Sequence, residues 1–131
     1  MVKRYKILGG IFLFVVLILS ACLDDSKKYN FYGESDNWSV KYKTEVTKER
    51  EFGEYIFKYI GKEPAPVVFV YKIESTSLNV GIAEDTFNQK DNVHIGTVEC
   101  TGCKAYTTEN DKIEATLEWD GKTETIKLDS K

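Results

Sequence analysis

The stretch from Ile113 to Leu128 constrains this chain more than any other, because turn chemistry and side-chain pattern specify one register there. Asp120-Gly121 is a two-residue turn signal of the type whose two central positions both need positive φ. Trp119 then faces Lys122, Leu117 faces Glu124, Ala115 faces Ile126 and Ile113 faces Leu128. On the other face Glu114 meets Lys127, Thr116 meets Thr125 and Glu118 meets Thr123. One face is nearly apolar and the other polar with a complementary charge pair, and a slip of one residue would destroy both. The end of the chain is a β-hairpin.

The same period of two runs through most of the sequence. Trp38, Val40, Tyr42, Thr44 and Val46 alternate with Ser39, Lys41, Lys43 and Glu45, which reads as a half-buried strand. Tyr55, Phe57 and Tyr59 form a second stripe, and Val67 to Ile73 is a β-branched and aromatic run entered from Pro64-Ala65-Pro66. Leu78, Val80 and Ile82 make a weaker strand, and Val93 to Val98 another. Ala83 to Lys90 reads as a loop or a single turn. About seven strands at near-regular spacing predict an all-β fold, an antiparallel immunoglobulin-like β-sandwich, with a small barrel as the alternative. The inter-sheet disulfide of antibody domains is missing, since Cys100 and Cys103 are three residues apart.

A chain of 131 residues accommodates one small domain. The formal charge of -3 argues against a nucleic-acid partner, which would call for a basic face. The aromatic and β-branched content is that of a packed domain rather than a disordered segment.

The first 22 residues carry an address. Lys3, Arg4 and Lys6 form a basic start, no acidic residue precedes Asp24, and Ile7 to Leu19 is uncharged. Such a run is short for a membrane span, which needs about 20 apolar residues, and suits a secretory signal. It ends in Leu19-Ser20-Ala21-Cys22. This tetrapeptide resembles the lipobox of bacterial lipoproteins: a branched apolar residue, two small ones, then cysteine. The resemblance implies diacylglycerol on the Cys22 sulfur, cleavage before Cys22, and fatty acyl chains such as palmitate holding the protein on the outer face of the cell membrane. Residues 1–21 are then a signal peptide, 22–36 a tether and 37–131 the sandwich domain. Removing Lys3, Arg4 and Lys6 from a chain of formal charge -3 leaves -6. An acidic domain is repelled by anionic lipid, so the membrane reads as an anchor point rather than a substrate.

Gly33-Glu34-Ser35 before Trp38, Cys100-Thr101-Gly102-Cys103, and Glu118-Trp119-Asp120-Gly121-Lys122 are together similar to small surface lipoproteins of Bacillus-like Firmicutes. That likeness implies a Gram-positive cell surface and no assigned activity.

Four features bear on chemistry. Cys100 and Cys103 match the Cys-x-x-Cys spacing of thiol redox enzymes, but no helical pattern follows to lower a thiol pKa. The favoured reading is a local disulfide pinning a turn, with Gly102 supplying backbone freedom. A zinc site would have to combine Cys100 and Cys103 with His94, the only histidine, and falls short of four ligands. His94, between Val93 and Ile95, is expected on the solvent face. Glu34, Asp36, Glu84, Asp85, Asp111 and Glu114 show no spacing that marks acid–base work. No Gly-x-Ser-x-Gly elbow is present for a hydrolase, and Asn37-Trp38-Ser39 is a sequon without weight in a bacterial lipoprotein.

The sequence therefore predicts a membrane-anchored, non-enzymatic binding or interaction module without cofactor or metal. Its partner is a protein or cell-envelope component, met through the loops around Glu63–Pro66, Glu84–Asn92 and Tyr106–Asp111. The competing expectation is an extracytoplasmic thiol or metal protein acting through Cys100 and Cys103.

Overall fold

The computed structural model describes residues 25–77, 80–86 and 91–131. The stretch read as a signal peptide, Cys22, Leu78 and the end of the Ala83–Lys90 stretch lie outside the described residues. Eight strands follow in chain order: β1 (Lys27–Glu34), β2 (Trp38–Val46), β3 (Arg50–Tyr59), β4 (Val68–Ser75), β5 (Val80–Thr86), β6 (Val93–Thr101), β7 (Ile113–Trp119) and β8 (Lys122–Ser130). Each neighbouring pair is antiparallel. Among the described residues no helix is long and apolar enough to cross a membrane.

The strands form one sheet in the order β5-β4-β7-β8-β1-β2-β3-β6, curled until its two edge strands approach each other. The fold is all-β, as the periodicity predicts, but a single nearly closed sheet replaces the two sheets of an immunoglobulin-like sandwich. The expected seven strands become eight through β1, which occupies most of the segment read as a tether. Tyr29, Phe31 and Gly33 supply its inward stripe, and Phe31 is fully buried. β1 joins the two halves of the sheet by pairing along its whole length with β2, and through Phe31 and Tyr32 with Ser130 and Asp129 of β8. Gly33 is required at this junction, because a Cβ there would collide with the Lys127 carbonyl and the Ile126 and Leu128 side chains.

The β7–β8 hairpin has the register its turn dictates, from Trp119 opposite Lys122 to Ile113 opposite Leu128. Asp120 and Gly121 take φ of 45° and 75°, as that turn requires. Inside the curled sheet, aromatic side chains pack against one another. Trp38 lies against Phe69 at 5.1 Å and edge-on to Tyr59 and Trp119, while Tyr42 stacks on Tyr55 at 4.2 Å between ring centroids. Ile73, Ala115, Leu117, Ile126 and Leu128 complete the core.

Two parts of the pattern resolve differently from the sequence expectation. The strand expected over Val80 and Ile82 continues through Ala83 to Thr86, where a loop was expected. In β6 the faces are exchanged: Ile95 is 56% exposed and His94 points inward among Phe57, Phe69 and Tyr71. The cause is the neighbouring strand. Phe57 and Tyr55 must face the core, and they pair directly with His94 and Gly96. Residues opposite each other share a face, so β3 overrides the preference of Val93 and Ile95.

Candidate functional site

The pairings give the curled sheet two ends. The lower end gathers the start of β1, the β2–β3 turn at residues 47–49, the segment 102–112 and the C-terminus of β8. The upper end gathers residues 35–37, 60–67, 91–92 and the Asp120-Gly121 turn. Of the three loops expected to meet a partner, the one around Glu63–Pro66 lies at the upper end; of the Glu84–Asn92 stretch, residues 84–86 belong to β5, 87–90 lie outside the described residues, and Asp91 and Asn92 lie at the upper end. The Tyr106–Asp111 loop lies at the lower.

The lower end holds a buried carboxylate. β3 alternates strictly, so Glu51 continues the inward stripe of Gly53, Tyr55, Phe57 and Tyr59, while Phe52 points outward and is 43% exposed. Glu51 is only 1% exposed. Its Oε1 accepts hydrogen bonds from the Tyr42 hydroxyl and from Thr44 Oγ1, both at 2.9 Å. Its Oε2 accepts one from the Thr107 backbone N–H at 3.0 Å. Gly53 makes the arrangement fit, since a Cβ there would strike the Tyr42 ring. No Lys, Arg or His forms an ion pair with Glu51 among the described residues. Three donors satisfy most of its acceptor capacity, which is what allows a carboxylate to stay inside.

Other polar atoms share this space. The Tyr55 hydroxyl, Thr107 Oγ1 and Asp111 Oδ2 are buried without a well-formed hydrogen bond. Asp111 Oδ1 accepts from the Thr108 N–H at 3.3 Å and the Thr108 hydroxyl at 3.1 Å, which folds the 108–111 turn. Burial pushes the Tyr42 phenol up to about 12, and the Glu51 charge adds to the effect against the lowering influence of Thr44 and Thr107. Tyr55 is raised further, first by burial and then by Tyr42, Glu51 and Asp111. Both phenols are held neutral.

Cys100 and Cys103 are joined as a disulfide with Cα atoms 6.0 Å apart. Cys100 pairs with Glu51 across the β3–β6 ladder, and the Gly102 N–H donates to the Glu49 carbonyl at 2.9 Å. Gly102 takes φ of 66°, the left-handed conformation suited to glycine. The bridge thus leads the chain out of β6 and into the 102–112 segment, whose Thr107 covers Glu51. No helix follows Cys103 among the described residues, so the helix N-terminus that activates redox thiols is not part of this site.

The residues of the zinc combination weighed from the sequence stand apart. His94 and Cys100 are six residues apart along β6, roughly 20 Å at the rise of a strand. Among the described residues no three His, Cys, Asp or Glu side chains converge. Of the six carboxylates singled out, Asp111 belongs to the lower-end cluster and Asp85 meets His94 instead. Glu34 lies beside Tyr32, whose hydroxyl donates to it at 2.7 Å, and Glu114 pairs with Lys127 in the hairpin ladder. Glu84 and Asp36 are exposed.

Glu51 was missed as a site residue. The signal was present, because counting back by twos from Tyr59, Phe57 and Tyr55 reaches Gly53 and then Glu51.

At the upper end, Glu124 accepts hydrogen bonds from the Ser35 hydroxyl and from Asn37 Nδ2, the latter at 2.6 Å, and so fixes the β1–β2 turn. The 60–67 connection crosses this end with Pro66 buried and Ala65 against the core, and Lys122 pairs with Glu63 at 2.9 Å. Ile60, Val67 and Val68 are left exposed, Val67 at 72%.

Comparison with known protein families, with curated proteins and with solved structures found no match to this chain.

Proposed function

We propose that this protein is a lipid-anchored extracytoplasmic binding module, held to the cell membrane through Cys22, that meets its partner with the upper end of the curled sheet. The observation that carries the reading is the sequence Leu19-Ser20-Ala21-Cys22 behind a basic, then apolar, N-terminus. β1 begins at Lys27, five residues beyond that cysteine. Five residues span at most about 18 Å when fully extended. An acylated Cys22 would therefore hold the lower end, with its disulfide and its buried Glu51, toward the bilayer.

The upper end would then face the wall or the medium. It presents Ile60 and Val67 to solvent on a loop braced by Pro64, Pro66 and the Lys122–Glu63 pair, and Val68 at the start of β4 beside them. Apolar side chains exposed on a braced loop suit recognition, because little ordering entropy remains to be lost on binding. The lower end offers no comparable surface for catalysis, since Glu51 is sealed beneath Thr107. A non-enzymatic role at a Gram-positive cell surface is the function these features support best.

The experiment is fractionation of cells expressing the full chain and its Cys22→Ala variant, with acyl labelling. Wild-type protein is expected in the membrane fraction, labelled and shortened by 21 residues. Cys22→Ala is expected unlabelled, and either unprocessed or released. Survival of both label and membrane retention in Cys22→Ala would overturn the anchor. Cross-linking through Val67→Cys, compared with a cysteine placed at Thr125 in the middle of β8, then tests which part of the surface meets the partner.

A further inference from the structure

The outward face of β4 carries an apolar stripe at its upper end. Val68 is exposed and Val70 half-buried on the same side of the strand, and Val67 extends the stripe into the 60–67 connection. Below Val70 the stripe stops at Lys72, which pairs with Glu74 at 2.6 Å. Carboxylates wall it on both sides. Glu118 of β7 and Glu84 of β5 lie directly opposite Val70 in the two ladders, where opposite residues share a face, and both are exposed. Between β4 and the Asp120-Gly121 turn runs an open groove of about 370 Å³, lined by Val68, Val70, Glu118, Asp120 and Lys122.

The charges around this groove do not balance. Lys122 is already held by Glu63 at 2.9 Å. Glu84, Glu118 and Asp120 form no ion pair among the described residues. Exposed Glu34, Asp36 and Asp91 add negative charge at the same end, against Lys58 and Lys62. An apolar floor between anionic walls has a definite complement, a side chain with an aliphatic stem and a cationic head.

We propose that this stripe and groove bind a basic segment of a partner polypeptide, one that mixes apolar residues with lysine or arginine. The stems of its cationic side chains lie along Val68 and Val70, their heads reach Glu118, Glu84 and Asp120, and its apolar side chains cover Val67. The occupant is a polypeptide because it must supply both kinds of group. A bare polyamine would leave the valines in water, and an anionic polymer or lipid surface would be repelled by the carboxylates. The acidic rim steers the encounter, and burial of the valines holds the complex. The inference rests on the upper end being the surface that meets the partner, and it names the chemistry of what that surface takes.

The test uses the full chain in a neutral detergent and three labelled octapeptides, alternating Lys-Val, Lys-Ser and Glu-Val. Binding is read by fluorescence anisotropy at low ionic strength, against a detergent blank. Lys-Val is expected to bind at least about threefold more tightly than Lys-Ser, because only the former covers the valines. Glu-Val is expected not to bind. Glu84→Gln/Glu118→Gln should weaken Lys-Val binding about fivefold or more. Val68→Ser, which leaves every charge in place, should weaken it about threefold. Glu45→Gln/Glu114→Gln removes the same charge elsewhere on the sheet and should bind as wild type. The proposal fails if Lys-Val does not bind, if Lys-Ser binds as well, or if Val68→Ser has no effect. It fails equally if Glu45→Gln/Glu114→Gln weakens binding as much as Glu84→Gln/Glu118→Gln does, since a diffuse field would then be responsible. In cells, capture of the partner through Val67→Cys that is undiminished by Glu84→Gln/Glu118→Gln would overturn the basic partner and leave the upper end as the meeting surface. Capture through Thr125→Cys and not through Val67→Cys would overturn the upper end itself, whatever the peptides show.

Discussion

His94 Nε2 lies 2.9 Å from Asp85 Oδ2, and this contact bridges the two free edges of the sheet. It joins β6 to β5, between which no backbone ladder is formed among the described residues. The approach is poorly aligned for a hydrogen bond from Nε2. Around it the imidazole meets the rings of Phe57, Phe69 and Tyr71. The Asp85 charge also raises the Tyr71 phenol, after burial.

The first prediction concerns that seam. The Asp85 side chain is 40% exposed, so solvent screens the pair and its coupling should be modest, about 0.5–1 kcal/mol. A double-mutant cycle with Asp85→Asn and His94→Gln measures it by denaturant unfolding. Amide exchange in β6 should quicken in Asp85→Asn while exchange in the β7–β8 hairpin stays constant. Zero coupling with unchanged exchange would show that the seam is closed by other contacts.

Glu51 supplies the second prediction. Glu51→Ala leaves the Tyr42 hydroxyl, the Thr44 hydroxyl and the Thr107 N–H without their acceptor in a buried place. The loss should be at least about 3 kcal/mol. Glu51→Gln keeps one acceptor oxygen but presents an amide NH2 to a donor, and should lose about 1–2 kcal/mol. Equal destabilisation by the two variants, read from denaturant midpoints, would mean that volume rather than hydrogen bonding matters at this position.

A third prediction follows from the phenols above Glu51. Folded Tyr42 titrates near 12 against 10.0 for the free group, so the fold favours its neutral form. The stability from that preference is complete below pH 10 and is lost as pH rises toward 12. Tyr55 adds to the loss in the same direction. Tyrosinate absorbance should therefore develop in two stages, exposed phenols first and the buried pair only with unfolding. Tyr42→Phe should flatten the decline in stability above pH 10. A single stage centred on the free value, with the fold intact, would contradict this.

The sequence declares the β7–β8 register completely because turn type and two-face pattern are independent signals that agree. It declares Trp38, Val40, Tyr42 and Thr44 as an inward stripe for the same physical reason, the strict alternation of a half-buried strand. What it hides is any position whose face is set by a neighbouring strand. His94 turns inward because Phe57 does, and Glu51 because Tyr55 does, although each sits beside an apolar residue that local hydrophobicity would bury first. β1 is hidden differently. Its outward residues Lys28, Asn30 and Tyr32 are polar or amphipathic, and its inward stripe ends in Gly33, so it resembles a linker until β2 and β8 are placed on either side.

The last prediction separates the disulfide from the loop it leads into. In the chain-entropy picture a bridge closing four residues contributes at most about 2 kcal/mol. Neither the Thr107–Glu51 bond nor the bond from the Gly102 N–H to the Glu49 carbonyl is made by a sulfur atom. Cys100→Ser/Cys103→Ser should therefore fold, lose no more than that amount in denaturant unfolding, and retain slow exchange at the Thr107 amide. Glu51→Gln should expose the same amide with the disulfide intact. If removing the bridge frees the Thr107 amide as fully as Glu51→Gln does, the disulfide rather than the buried carboxylate holds the lower end closed.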